Sequence, residues 1–198
     1  MDSILLFQDG LVLFFNHYFI ETERALLVLL VLLAAAWDIR TRRIPNLLVL
    51  FGLLSALGFH ALSLHGLGLA TAFGGLVLGL ALFMPLYLLR AMGAGDVKLM
   101  GMVGAFLGTT SAIGAVCTVL IAGGVLALAA ALCNGRLQIL ARNLRYMMMH
   151  TLAGAATGQH GGSQVLAMSA GQLPYGVAIA AGTIAHLFLL RAGHALMA

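Results

Sequence analysis

Asp38 and Asp96 are the residues of this chain best able to do chemistry. Of six acidic residues among 198, four (Asp2, Asp9, Glu21 and Glu23) precede Arg24, and only Asp38 and Asp96 follow it. Ionisable groups bordered by long apolar runs are costly to keep and point to function. Two carboxylates sharing a site cannot both ionise easily, so they hold one proton between them. The ionised one can act as general base on a water. The protonated one can polarise a peptide carbonyl and later protonate the leaving amine. That is aspartic-protease chemistry, and it requires no metal and no cofactor. The sequence offers no competing constellation: it has no HExxH, no GxSxG and no Cys–His arrangement at a plausible depth.

The elements that must position these acids are membrane helices. The chain is 62% hydrophobic and 8% charged, with a mean hydropathy of +1.07, whereas soluble domains carry about 25% charged residues. The apolar runs are long and unbroken and lack the alternation of a membrane barrel. The fold class expected is therefore all-α, a polytopic membrane protein of about six spans. The first precedes Trp37; residues 44–89 carry no Asp, Glu, Lys or Arg and divide at "HALSLHGLG" into spans near 45–62 and 67–89. Residues 99–135 likewise divide at "GTTS" (108–111), and the last span is 173–190. With the N-terminus outside, Arg40, Arg42, Arg43, Arg90, Lys98, Arg136, Arg142 and Arg145 fall on the cytoplasmic side, and only Arg24 and Arg191 fall outside. This is the positive-inside pattern. No secretory signal peptide is read at the N-terminus, since "MDSILLFQDG" has acids where a signal carries bases.

Residues 1–24 read as an outer-side amphipathic segment and 25–198 as one membrane domain, with no tandem repeat. Residues 137–148 read as a basic amphipathic helix suited to an anionic inner leaflet. Membrane lipid, not nucleic acid, is the expected partner of the scattered arginines. Cys117 and Cys133 are expected as two inert buried thiols, roughly 24 Å apart on one helix and too distant for a disulfide. "GLVLG" (75–79) and "GAFLG" (104–108) are small-residue patterns that let membrane helices pack closely. His17, His60 and His65 fall on the outer side and His186 deep in a span; as single residues they read as structural.

Depth pairs the two acids. Asp38 follows the outer boundary at Arg24 by 14 residues, and Asp96 precedes the outer turn at Thr109 by 13. At 1.5 Å per residue both lie roughly 20 Å from the outer face. In a core about 30 Å thick, both carboxylates fall several ångströms below the cytoplasmic surface. In "GAGD", Gly93 and Gly95 are expected to supply backbone dihedrals that other residues avoid, with Asp96 early in a helix where the dipole favours negative charge. A plain helix cap would explain Asp96 alone, but not a matching Asp38.

"WDIRTRRIPN" (37–46), "GAGDVKLMG" (93–101) and "LPYG" (173–176) resemble the type IV prepilin peptidases, the GxGD-type intramembrane aspartic proteases. The resemblance runs from about residue 25 to 190. It implies that Asp38 and Asp96 form the catalytic pair. It also implies cleavage on the cytoplasmic face of a bacterial inner membrane, after a glycine ending the short basic leader of pilin-like and pseudopilin precursors. The chain is similar to the compact peptidases of tight-adherence (Flp-type) pilus systems. The longer form adds a cytoplasmic paired-cysteine segment and N-methylates its product, and it carries "LPD" where this chain has "IPN" (44–46). The resemblance therefore implies a leader peptidase without methyltransferase activity.

Two other readings stand beside this one. Presenilin-type proteases share GxGD but carry Pro-Ala-Leu where this chain has "LPYG". A small proton-coupled transporter or channel could use the two aspartates as a proton relay; it predicts ionisable residues strung across the membrane and a repeated topology. Lys98 is a possible neighbour of the site, although two positions from Asp96 a helix points it elsewhere, and snorkelling to headgroups also accounts for it. Pro174 and Tyr175 are expected to break the last helix beside the cavity, where an extended substrate could add to exposed backbone.

Overall fold

A computed structural model describes residues 2–62, 68–89, 91–133, 135, 142, 145 and 174–197, with the side chains of 2–17 and 194–197 left aside. The described residues form helices and no strand. They are α1 (Asp2–Thr41), α2 (Asn46–Leu62), α3 (Gly68–Leu88), α4 (Ala94–Cys133) and α5 (Tyr175–Met197). Of the amphipathic helix expected at 137–148 only Arg142 and Arg145 are described, and His65 lies outside the described residues. Three helices, α3, α4 and Tyr175–Gly193 of α5, are long and apolar enough to cross a membrane, and α2 is a shorter apolar helix. This is a membrane protein.

α4 is two helices joined at Gly108, whose φ of 71° and ψ of 175° break the helical path. Only glycine enters that left-handed region without steric cost, so the break falls where "GTTS" begins. The first arm, Ala94–Leu107, is the centre of the bundle. From Val97 to Phe106 every residue but Lys98 is buried, the mark of a helix enclosed on all sides. α3 runs antiparallel to it with backbones nearly touching. A Cβ on Gly75 would strike the Gly104 carbonyl, and one on Gly79 the Met100 carbonyl. The "GLVLG" pattern is thus used as a close-packing seam.

The second arm, from Thr109, turns back and packs against α5, with Gly114 against His186 and Gly182 against Val119. α1 supplies Leu27, Leu30, Val31 and Ala34 to the core, the i, i+3, i+4, i+7 spacing of one helix face. It runs unbroken from Asp2 through residue 24, so no break in the helix marks that position. Large side chains such as Leu47, Leu54, Val77, Ile121, Val125 and Phe188 point outward, as lipid-facing positions do. Cys117 and Cys133 are also exposed. The expectation of buried thiols fails because both lie on the outer surface of the second arm, where apolar side chains face outward rather than into the core.

The helices alternate in direction and so gather their ends into two groups. One end collects Asp38, Ile44, Gly95, Asp96 and Gly176. The other collects Glu23, His60, Thr71 and the Gly108 break.

Candidate functional site

Asp38 lies in the last turn of α1. Its carbonyl accepts the Arg42 N–H at 2.8 Å, and Arg42 itself is left-handed with φ 55°, so the chain leaves the helix sharply one turn beyond the acid. The Asp38 side chain reaches out of its own helix, and its Oδ2 accepts the backbone N–H of Gly176 at 2.9 Å. Gly176 is the second residue of α5, where an N–H has no partner inside its helix.

Asp96 lies in the first turn of α4. Its Oδ2 accepts the Gly93 N–H at 2.9 Å, while its own N–H donates to the Gly93 carbonyl at 3.2 Å. This is the back-bonding half of a capping box. Both carboxylates are buried, Asp38 6% and Asp96 8% exposed, so each needs the partner it has. Among the described residues no Lys, Arg or His forms an ion pair with either. The two acids are within electrostatic reach of each other, as Tyr175 is of Asp96. Each carboxylate has one oxygen anchored by a backbone amide, and no hydrogen bond to the other is found among the described residues.

The flanking glycines act differently from the expectation. Neither Gly93 nor Gly95 has a positive φ. Gly93 contributes its N–H, and a Cβ there would stand in ordinary contact with Asp96, 3.4 Å from Oδ2. Gly95 contributes space, because a Cβ on it would lie 3.3 Å from Ile44 Cβ in the link between α1 and α2. Lys98 is exposed, and its Nζ donates to Asn46 Oδ1 at 3.1 Å. It ties α4 to the start of α2 and points away from the acids. Pro174 and Tyr175 open α5, with the Pro174 carbonyl accepting the Val177 N–H. Both line an apolar cleft of about 230 Å³ between α5 and the second arm of α4, with Gly123, Leu126 and Ala178 on its walls.

Sequence reasoning passed over Gly176. It stands inside "LPYG", next to the two residues singled out, but nothing local to that motif signals that its amide meets an acid 138 residues earlier.

A helical membrane protein with two buried, un-neutralised carboxylates gathered at one end of its bundle is thus the class defined by fold and site. The sequence model of the type IV leader peptidase family matches residues 25–132, more than half of the chain and both aspartates. The chain belongs to the type IV leader peptidase family, and its activity is that of a leader-peptidase-type protease. No curated protein and no solved structure matches it.

Proposed function

We propose that this protein is an aspartic endopeptidase that removes the leader peptide from prepilin-like precursors at the cytoplasmic face of a bacterial inner membrane. The observation that carries the reading is the gathering of Asp38 and Asp96, from the end of one helix and the start of another, into one buried region without a basic partner. One carboxylate takes a proton from water as the water oxygen attacks the scissile carbonyl carbon. The other, protonated, donates to the carbonyl oxygen. As the C–N bond breaks, the carboxyl that took the water proton gives it to the leaving amine, and the tetrahedral intermediate returns a hydroxyl proton to the other carboxylate as the new carboxyl group forms. Two products leave, a free carboxyl-terminal leader and a mature amino terminus, and the pair returns to holding one proton.

Six crossings with the N-terminus outside fit the alternating helix directions, counting the two arms of α4 separately. Arg40, Arg42, Arg43 and Lys98 cluster near the two acids in sequence, whereas Arg24 lies 14 residues before Asp38 on α1 and Arg191 lies toward the far end of α5, which supports a cytoplasmic site by the positive-inside rule. The first arm of α4 is about 21 Å long, shorter than a hydrocarbon core of about 30 Å. From an outer turn at Gly108 it leaves Asp96 below the inner surface, where a short water-filled approach reaches it. Lipid would contact the apolar side chains that point outward. The proton-relay alternative is not favoured: the family is one of peptidases, and the two acids sit at one end of the bundle, not along a path across it.

The test is co-expression with a pilin precursor and mass spectrometry of the precursor's N-terminus. Wild type is expected to give a new N-terminus immediately after the leader glycine, without a methyl group. A methylated product would remove the peptidase-only assignment. Absence of any cut in a panel of pilin-like precursors would overturn the substrate class.

A further inference from the structure

We propose that α5 completes the site, with Gly176 as the positioning residue for Asp38. The two acids are held by similar bonds but from very different sources. Asp96 takes its amide from Gly93, three residues earlier in its own turn. It stands at the N-terminal end of its helix, where the dipole favours negative charge. Asp38 has neither advantage. It lies at the C-terminal end of α1, where the dipole opposes negative charge. The only backbone donor that reaches it among the described residues is Gly176, across 138 residues of chain. The first turn of α5 supplies what α1 cannot: an unpaired amide and the positive end of a second helix, directed at the carboxylate.

The fit at that contact leaves no room for a side chain. A Cβ on residue 176 would lie 2.9 Å from Asp38 Cβ, a distance that Cβ atoms essentially do not adopt, and a tight 3.0 Å from its Oδ2. Glycine is therefore required there for close approach: the amide reaches the carboxylate only because nothing projects between them. α5 in turn is seated by its own close contacts, Gly182 on the Val119 backbone and the ring of His186 on Gly114. The orientation of Asp38 thus depends on how α5 docks, whereas that of Asp96 is set within its own turn. The family match ends at residue 132, so this third element lies outside it.

The consequence for activity rests on the peptidase reading, but the contact itself does not, and the experiment separates the two. Full-length protein labelled with 15N-glycine in micelles gives an amide resonance for Gly176, assigned by its absence from the Gly176→Ala spectrum. In Asp38→Ala that resonance is expected to move upfield and to exchange faster with solvent. The Gly93 and Gly193 amides are expected to stay in place. A Gly176 amide indifferent to Asp38→Ala overturns the proposal whether or not any precursor is cut.

In the cleavage assay, Gly176→Ala is expected to lower kcat by about 10²-fold, the cost of displacing a catalytic group by about 1 Å, with KM for the precursor unchanged. Gly193→Ala, on the same helix with open space around it, is expected to cleave as wild type does. Wild-type kcat in Gly176→Ala would also overturn the positioning role. A wild type that cuts nothing would defeat the peptidase reading and leave the amide measurement to judge the contact.

Discussion

Glu23 and Asp38 are carboxylates on the same helix, roughly 22 Å apart along α1, and their surroundings are opposite in kind. Glu23 Oε1 lies 3.6 Å from His60 Nε2, with Glu21 paired to Arg24 beside it. His60 Nε2 also lies 3.3 Å from the Phe106 carbonyl. A carbonyl can only accept, so that nitrogen carries the hydrogen. The Phe106 carbonyl lies two residues before the break at Gly108, and His60 adds a side-chain donor to it. At this end of the bundle an acid faces an imidazole, which also bonds the helix beside its break. At the other end Asp38 and Asp96 meet backbone amides, and no base neutralises them among the described residues. An acid held but not neutralised can still exchange a proton with a substrate. On the proposed function, that difference would separate an end that reacts from an end that holds.

The sharpest way to break that contrast is to remove each acid while keeping its shape. Asp38→Asn and Asp96→Asn are each expected to lower precursor cleavage by at least about 10²-fold, the lower range for a general acid–base group, at matched membrane levels of protein. Glu23→Gln is expected to cleave as wild type does. Cleavage surviving in either asparagine variant would remove that aspartate from the chemistry and erase the distinction between the ends.

The next effect in size is on stability rather than rate. The seam between α3 and the first arm of α4 has no room for a β-carbon at Gly75 or Gly104. Gly75→Val is expected to cost about 1–3 kcal/mol, as overpacking does, read as a lower unfolding midpoint in detergent. Because that arm carries Asp96, activity should fall only as far as the folded fraction falls. A fall in cleavage without a loss of stability would place the seam in the mechanism.

Much of this was legible in the residues before the structure. The two acids, the break at "GTTS" and the close-packing glycines are all chemical signals local in sequence: a charge among apolar residues, a residue free of Cβ. What stayed hidden depends on which face of an apolar helix meets protein and which meets lipid. In soluble proteins polarity marks that choice, but here both faces are hydrophobic. Val103, fully buried, and Val125, mostly exposed, lie in equally apolar surroundings in sequence. The same blindness misplaced the two cysteines and concealed that the first arm of α4 is the central helix. It also hid the Gly176 contact, because a backbone donor leaves no trace in residue type.

At the far end a weaker perturbation tests the holding role. His60→Ala removes a donor to Phe106 O and the neighbour of Glu23. The expected loss is about 1–3 kcal/mol, the cost of leaving a buried polar group unsatisfied. Thermal unfolding should show it, while kcat at permissive temperature stays at the wild-type value. If kcat falls and stability does not, the two ends are coupled through the first arm of α4, and the contrast drawn above is too simple.

Lys98 should give the smallest response, and the reason is geometric. It is close to Asp96 in sequence and carries the charge best suited to neutralise it, yet two positions along a helix already point it elsewhere. Its Nζ instead meets Asn46 Oδ1 at 3.1 Å, on an exposed surface, where a side-chain hydrogen bond contributes about 0.5–1.5 kcal/mol at most. Lys98→Met keeps the aliphatic stem that can lie along apolar surface and removes only the charge and the donor. Cleavage is expected within error of wild type, with a stability loss of less than about 1 kcal/mol. A large rate loss in Lys98→Met, restored by Lys98→Arg, would mean that a positive charge does act on the aspartates during turnover. The un-neutralised state of the pair would then be a property of the resting protein alone.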